Sequence, residues 1–485
     1  MIYARIVRTI NPASITLLLL AAGCAVGPNY QKPDTPVPAA WQEGQQKGVD
    51  TQAAELAHWW KEFKDPLLDS LVERAVKSNL DLKVAEARVR EERASLAATA
   101  SGLWPTLDVS GSYSRNRVSK NGFFSGNPTP GSSSFAGGGK LENNFYRTGF
   151  DSSWEIDVFG GTRRQVEAAE ATLAATVEDQ RSVLVTLLGD VAKNYIDLRG
   201  LQRQLVVAQQ NLAAQQDTLG LTKVRFEAGL ASDFEVAQAE GLVNSTAAQI
   251  PTLQSALKQA AYRIDVLLGT RPGSAWSELA KDAAIPALPP KAQVGLPADL
   301  LRRRPDIRQA ERLLASATAQ VGAATADLYP KFSLTGNIGL QSISASNWFS
   351  AQSRFWSIGP TITWPVFDAG KIRANIEIRN AQQEQALRLY EKSVLTAFED
   401  VENALVNYGN EQTRYRSLLE AVAANRRALQ LAEELYTQGL VPFLNVLDAQ
   451  RTVYTSENDL AQSEASMASN LVALYKALGG GWETN

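Results

Sequence analysis

Few of the 485 residues are of types that do chemistry, and those few stand far apart. There is one cysteine, Cys24, and one histidine, His58. Intrachain disulfides, Cys/His zinc sites and every His-dependent nucleophile or general-base arrangement therefore lack their parts. Gly370-Lys371-Ile372 carries neither the upstream glycine nor the Ser/Thr of a phosphate-binding loop. Gly137-Gly138-Gly139 sits in a polar stretch instead of between a strand and a helix. With Met1 and Met467 the only methionines, a thioether relay for copper or silver within this chain is not expected. His58, beside Trp59 and Trp60, reads as packing. No catalytic, cofactor or metal site is expected, and the chain does not read as an enzyme. What remains is one thiol near the N-terminus, two helix corners at Gly229, Leu230 and Ser232 and at Gly439, Leu440 and Pro442, and just past the second of them Leu444, Asp448 and Arg451.

Charged residues make up 20% and the formal net charge is −3, so a basic nucleic-acid footprint is excluded. Hydrophobic residues reach 45%, yet mean hydropathy is −0.19. No apolar run attains the roughly 18 residues of a spanning helix, so any membrane crossing must use strands. Arg5 and Arg8 precede an apolar stretch from Ile15 to Ala22, which reads as a signal peptide over residues 1–23. It ends in Leu20-Ala21-Ala22-Gly23-Cys24, which resembles a bacterial lipobox, with small residues for peptidase access and a thiolate to take a diacylglyceryl group. Lipidation at Cys24 is expected; an ordinary signal cleaved elsewhere, leaving a spare thiol, is the alternative. Gly27-Pro28-Asn29-Tyr30-Gln31-Lys32-Pro33 follows as an extended, Pro-rich tether. Ala25, rather than Asp, after the cysteine points to the outer membrane by analogy with lipoprotein sorting. One lipid chain anchors weakly, so a second membrane attachment is expected.

The chain repeats itself. Asn79-Leu80-Asp81-Leu82 through Leu103-Trp104-Pro105 matches Arg304-Pro305-Asp306-Ile307 through Leu328-Tyr329-Pro330 at an offset of 225. From Trp154 the offset is 210, pairing Trp154 with Trp364, Gly160 with Gly370, Gly229 with Gly439 and Gly269 with Gly479. The 15-residue difference falls in a Gly/Ser/Asn/Pro-rich insertion around Ser125 to Gly139, a composition that makes a loop. The resulting organisation is an N-terminal segment over 24–66, a first repeat over 67–270, a linker over 271–296, a second repeat over 297–479 and a tail over 480–485.

Each repeat reads as short helix, strand pair, long helix, short helix. The long helices, about Thr162 to Ala228 and Lys371 to Gln438, contain no proline and span roughly 100 Å each at 1.5 Å per residue. The short ones, about Leu67 to Ser101 and Asp233 to Leu268, together equal one long helix, so two can stack end to end beside it. Leu184, Leu187, Leu188, Val191, Tyr195, Leu198, Leu201 and Leu205 give a packing stripe of three-to-four spacing. From the helices alone, an antiparallel coiled-coil rod stays open. Four segments alternate with period two. Leu107, Val109 and Tyr113; Tyr146, Phe150, Trp154 and Ile156; Phe332, Leu334, Ile338 and Leu340; and Trp356, Ile358, Ile362 and Trp364 each oppose polar neighbours. That pattern is the mark of outer-membrane strands, and equally of a half-buried soluble sheet. Since the smallest bacterial barrels have about 8 strands, four need partner copies; two copies fill the interior with side chains, whereas three leave a lumen.

These residues resemble the TolC-like outer-membrane efflux channels, in particular the lipidated NodT-type branch. The resemblance is carried by Cys24-Ala-Val-Gly-Pro-Asn-Tyr-Gln-Lys-Pro33, Trp59-Trp60 with Phe63 and Asp65-Pro66, Gly295-Leu296-Pro297-Ala298-Asp299-Leu300-Leu301-Arg302-Arg303-Arg304-Pro305-Asp306-Ile307, and Trp364-Pro365-Val366-Phe367-Asp368-Ala369-Gly370. It implies a mainly α, α+β fold: a homotrimer with a twelve-stranded outer-membrane β-barrel continued by a periplasmic α-helical barrel, and a belt built from the termini and the linker near Ser274 to Val294. It implies a passive, gated conduit for small molecules such as drugs and toxic compounds. The implied partners are outer-membrane lipid, a periplasmic adaptor (membrane fusion protein) and an inner-membrane RND-type transporter. A duct for protein secretion and a non-conducting coiled-coil adaptor are the alternatives; the lipoyl-like domain an adaptor needs is missing.

The two Gly-Leu corners, Gly229, Leu230 and Ser232 with Gly439, Leu440 and Pro442, are explained structurally by helix capping. By the resemblance they are adaptor-binding tips. Leu444, Asp448 and Arg451 fall at i, i+4 and i+7, on one face of a helix. They resemble the family's constriction, in which such residues pair across protomers at the axis; an ordinary surface ion pair is the alternative. The first repeat has Phe234, Gln238 and Gly241 at these places and so belongs to an outer hairpin.

Overall fold

The computed structural model describes residues 25–44, 48–52, 56–117 and 142–483. The signal segment 1–23, the lipidation site Cys24 and the polar insertion 125–139 lie outside the described residues. In chain order the elements are β1 (Val49–Asp50), α1 (Pro66–Ser78), α2 (Leu80–Ser101), β2 (Thr106–Arg117), β3 (Glu142–Ile156), α3 (Gly161–Glu227) and α4 (Asp233–Leu267). There follow α5 (Trp276–Leu279), β4 (Ala292–Gln293), α6 (Pro297–Arg303), α7 (Pro305–Ala326), β5 (Lys331–Ser342), β6 (Arg354–Thr363), α8 (Lys371–Thr437) and α9 (Phe443–Ala477). The chain forms two compact units, one from residues 1–31, 92–173 and 313–386, the other from 32–91, 174–312 and 387–485.

The first unit holds one antiparallel sheet of order β2-β3-β5-β6. Its register places Val109, Phe150, Ile338 and Trp356 in a row across all four strands, beside a row of Asp108, Asp151, Asn337 and Ser357. Because side chains alternate between faces, all the apolar residues expected from the period-two pattern share one face. On the other face Ser110 Oγ donates to Asp151 at 2.5 Å, and Arg147, paired with Asp151 at 3.1 Å, lies 4.9 Å over the Phe355 ring. Gly149 and Gly339 stand opposite each other there. A Cβ on Gly339 would lie 2.3 Å from the Thr148 carbonyl oxygen and 3.0 Å from the Phe355 ring, so the close backbone approach requires glycine and Phe355 covers it. Both repeats lock the sheet to the loop before it in the same way. Trp154 Nε1 donates to the Leu103 carbonyl at 3.0 Å and Trp364 Nε1 to the Leu328 carbonyl at 3.1 Å.

The segment after Cys24 differs from a free tether. Val26 N–H donates to the Phe159 carbonyl at 3.1 Å, and the buried Arg164 guanidinium donates to the Val26 carbonyl at 3.1 Å and to Asn29 Oδ1 at 2.7 Å. Gly27, at φ 88°, meets Gly322 so closely that a Cβ would sit 2.4 Å from the Gly322 Cα. Composition gives no hint of this, because the partners are more than a hundred residues away.

The second unit is helical. It holds the greater part of α3 and α8, which are 67 residues each, and the whole of α4 and α9, which are 35 each. Trp59, Phe63, Leu68 and Leu71 share one continuous core with Leu188, Val191, Tyr195 and Leu198 of α3 and with Tyr390, Val394 and Leu405 of α8. Asp65 starts α1, accepting from the Leu67 and Leu68 N–H groups at 2.9 and 3.1 Å, and also accepts from Tyr195 Oη at 2.6 Å. His58 meets Trp60 edge-on, at 5.4 Å between ring centres. β1 and β4 pair in parallel, joining the N-terminal segment to the linker.

Periodicity predicts one helix from Leu67 to Ser101, and the structure divides it at Asn79. There the backbone turns extended (ψ 136°), and Asn79 Oδ1 accepts from the Leu82 N–H at 2.9 Å. Asn79 Nδ2 donates to the Leu267 carbonyl at 2.9 Å and Ser78 Oγ to the Leu268 carbonyl at 2.7 Å, so the last carbonyls of α4 are satisfied at the start of α2. The second repeat builds the same end-to-end junction with other chemistry. Arg304, at the position of Asn79, forks onto Asp306 at 3.0 and 2.6 Å and reaches Asp400 at 2.9 Å and the Ala477 carbonyl at 3.1 Å. The tail is pinned as well: the Trp482 ring lies 4.5 Å from the Arg181 guanidinium and 5.1 Å from that of Arg308, and both arginines pair with the buried Glu178.

Glu311, on α7, is buried between Lys32 at 3.1 Å and Arg312 at 2.6 Å. Burial works to raise its pKa, but the two cations outweigh it and hold the carboxyl below its ordinary value. A depressed folded-state pKa stabilises the fold above the unfolded value and is lost as pH falls through the folded one. Melting followed by circular dichroism from pH 7 to pH 3 therefore shows a drop in the wild type. A smaller drop is expected in Glu311→Gln, which starts lower at pH 7.

Candidate functional site

The two helix corners lie together in the second unit. α3 ends with Gly229 at φ 70°; Gly229 N–H donates to the Phe226 carbonyl at 2.9 Å and Leu230 N–H to the Arg225 carbonyl at 2.7 Å. α8 ends identically, with Gly439 at φ 73°, Gly439 N–H on the Tyr436 carbonyl at 2.9 Å and Leu440 N–H on the Leu435 carbonyl at 2.9 Å. This paired bonding returns the chain after a left-handed residue. The restarts differ. Ser232 and Glu235 form a reciprocal capping box at the start of α4, whereas Pro442 stands before α9 with no side-chain cap. The corners leave Leu230 68%, Leu440 66% and Phe234 70% exposed.

Beneath them lies a small core of Ala239, Leu242, Tyr436, Phe443, Val446 and Leu447. Arg225, in the last turn of α3, stacks 4.6 Å from the Tyr436 ring and donates to the Thr437 carbonyl at 3.4 Å, putting a cation at the C-terminal end of α8. Sequence reading missed this residue; a basic residue in the last turn of a long helix was the available signal. Burial raises the Tyr436 pKa. Lys223 and Glu240 pair across the first corner at 2.8 Å.

α9 is tied on its inner faces. Gln450 Nε2 donates to Thr218 Oγ1 at 2.7 Å, and Glu457 accepts from Asn211 at 2.7 Å and pairs with Arg426 at 2.6 Å. Phe443, Val446 and Leu447 point into the core. Leu444, Asp448 and Arg451 are left together on the opposite, exposed face, as their spacing predicts. Neither Asp448 nor Arg451 makes an ion pair among the described residues, so the ordinary intrachain surface pair is not formed. In the first repeat Phe234 is exposed, and Gln238 and Gly241 bring no charge to the same positions.

Among the described residues no group of three or more His, Cys, Asp or Glu side chains could hold a metal ion, and no helix is long and apolar enough to cross a membrane. A family model described as outer membrane efflux protein matches residues 71–270 and 296–480. The chain belongs to this family. It is 35% identical over 475 residues to Nodulation protein T of Rhizobium leguminosarum bv. trifolii, covering 96% of both chains. It is 35% identical over 474 residues to the solvent efflux pump outer membrane protein SrpC of Pseudomonas putida, covering 96% of this chain and 97% of that one. The solved outer-membrane channel OprN superposes with a TM-score of 0.86 at 38% identity, over 95% of this chain and all of the other. As an outer membrane efflux protein, the chain is an outer-membrane conduit and not an enzyme.

No atom lies within 4 Å of a Cβ added at Gly229 or Gly439, so only the left-handed backbone restricts these positions. Gly229→Ala or Gly439→Ala is expected to cost about 1–2 kcal/mol locally, read as faster amide exchange in the turns before each corner. Leu230→Ser stays within about 0.5 kcal/mol of wild type in the same measurement.

Proposed function

We propose that the protein is the outer-membrane channel of a tripartite efflux pump, a passive and gated conduit that carries small molecules from the periplasm to the exterior. Three copies form the pore: their sheets join as a twelve-stranded barrel and their long helices line a periplasmic barrel. Cys24 carries the lipid that supplements the barrel as an anchor. A periplasmic adaptor binds the tips at Gly229, Leu230, Ser232, Gly439, Leu440 and Pro442, and an RND-type transporter of the inner membrane supplies the energy.

The observation that carries this reading is the four-stranded sheet with one apolar face and, among the described residues, an edge strand on each side that is paired along one side only. Such an edge in hydrocarbon leaves unsatisfied N–H and C=O groups unless the sheet closes on further copies. Support for the gate comes from the exposed face of α9, where Leu444, Asp448 and Arg451 lie together and neither charged side chain makes an ion pair among the described residues. Around a threefold axis that face meets its own copies, and Asp448 and Arg451 pair across protomers to hold the resting pore shut.

In a planar bilayer the wild type is expected to conduct poorly at rest, and Asp448→Ala with Arg451→Ala is expected to open it. Charge-assisted bonds are worth about 1.5–3 kcal/mol each, so the open population rises at least tenfold. Unchanged single-channel conductance and open probability would rule the gate out. Leu230→Asp with Leu440→Asp is expected to leave conductance intact and abolish adaptor crosslinking at Ser232.

A further inference from the structure

The apolar face of the sheet is not apolar to its end. Alternation along each strand puts Arg115 and Arg117 on this face of β2 after Tyr113, Glu142 on β3 before Tyr146, and Arg354 on β6 before Trp356. Among the described residues of the four strands these are the only charges on the face, three arginines against one glutamate. All four stand at the end of the sheet where β2 connects to β3 and β5 to β6. At the opposite end, where α2 leads into β2 and β3 into α3, the same face closes on Leu107, Ile156, Phe332 and Ile362.

A belt of rings separates the aliphatic rows from the arginines of β2. Tyr113 and Tyr146 are cross-strand partners with ring centres 4.9 Å apart. Trp348, from the β5–β6 connection, lies 5.4 Å from Tyr146, and Phe349 lies 4.8 Å from Trp348. Trp348 Nε1 donates to the Leu340 carbonyl at 3.3 Å, which ties the connection to the sheet, while Phe349 stays 74% exposed. Beyond Tyr113, Arg115 Nη2 donates to the Glu142 carboxylate at 2.7 Å, and Arg117 Nη1 lies 3.6 Å from the same carboxylate. The two arginine side chains are nevertheless 64% and 70% exposed. Arg354 is exposed too and makes no ion pair among the described residues. A guanidinium has several N–H donors in a planar fork, so most of this donor set stays open to a further anion.

We propose that Arg115, Arg117 and Arg354 bind the phosphate groups of the outer-leaflet glycolipid, lipid A, whose acyl chains lie along the aromatic belt. The proposal rests on the channel reading above: with the helices in the periplasm, the arginine end of the sheet faces the exterior. A charge facing lipid is destabilising in mid-bilayer and close to neutral at the interface, and a place at or past the aromatic belt is at headgroup depth. Three arginines with one carboxylate leave a positive surface there, complementary to sugar phosphates. Guanidinium forks match phosphate oxygens in a way that a lysine ammonium does not, and Glu142 holds Arg115 and Arg117 side by side. β2 and β6 are the two edges of the sheet. In the joined barrel Arg354 of one copy therefore comes to the same seam as Arg115 and Arg117 of the next, and each of the seams carries one site. The opposite end of the face, toward the inner leaflet, offers no counterpart.

Native mass spectrometry of the full-length protein in detergent reads oligomeric state and bound lipid together. EDTA is present, so that no divalent cation bridges lipid phosphate to a carboxylate. The wild-type trimer is expected to retain bisphosphorylated lipid A. Arg115→Gln with Arg117→Gln and Arg354→Gln weakens that binding by about tenfold or more, whereas the dephosphorylated glycolipid binds both proteins equally and more weakly. Glu142→Gln, which releases both arginines of β2, tightens lipid A. Undiminished lipid A binding in the triple variant overturns the site, as does a wild type that holds the dephosphorylated form as tightly as the phosphorylated one. Should the triple variant fail to assemble, Glu142→Gln decides, because the expected change has the opposite sign; unchanged or weaker binding overturns the site. Phosphatidylglycerol held as tightly as lipid A, or displacement of lipid A by millimolar inorganic phosphate, overturns the assignment to a glycolipid. A wild type that is monomeric overturns the channel reading beneath and this inference with it; a trimer that binds no lipid A overturns the inference alone.

Discussion

The constraint on which the rest of the chain depends is the open backbone of the two edge strands of its four-stranded sheet. The sheet of the first unit spends its interior strands, β3 and β5, on full ladders and leaves β2 and β6 with one open edge each. In water such edges are a hazard that proteins blunt with charge or proline. Here the edge strands carry Leu107, Val109, Trp356, Ile358 and Ile362 on one face, a surface suited to hydrocarbon, where open edges are not tolerated. For an outer-membrane protein this is a demand for closure, which the proposed assembly of copies would meet.

Duplication answers the demand economically, and its departures from symmetry are as informative as its agreements. The same left-handed glycine ends both long helices, and the same end-to-end junction joins short helices in both repeats. The chemistry at equivalent points is free to change where geometry alone is required. Asn79 with Ser78 closes one junction by side-chain amide and hydroxyl; Arg304 closes the other by a guanidinium fork. The corners likewise restart on Ser232 in one case and Pro442 in the other. On the exposed face beyond them, one repeat carries Phe234, Gln238 and Gly241 and the other Leu444, Asp448 and Arg451. Shared backbone geometry with unshared charge lets two similar hairpins take different parts in one proposed gate.

Buried and half-buried arginine side chains do the long-range stitching. Arg164 holds the residues just after Cys24, Arg304 holds the end of α9, and Arg181 with Arg308 clamps Trp482 near the C-terminus. Each satisfies backbone carbonyls or an aromatic face with several donors at once, which a lysine could not do. The segments that begin at Val26 and reach to Trp482 are thereby fixed to the framework.

The amino-acid sequence by itself determined the elements and their repetition. Period-two alternation placed all four strands, proline-free three-to-four spacing placed the long helices to within a residue at each end, and Gly-Leu followed by Ser232 or Pro442 placed both corners. These are local signals, written in neighbouring residues by the geometry of strand and helix. The face shared by Leu444, Asp448 and Arg451 was legible for the same reason. Only the tertiary structure decided what distant residues do to one another: that Asn79 divides a continuous apolar pattern to receive the end of α4, that Gly27 is pressed against Gly322, that Arg225 crosses to Tyr436, and that the expected tether is packed. Those outcomes depend on which surfaces meet, and partners a hundred or more residues apart leave no periodic trace in either segment.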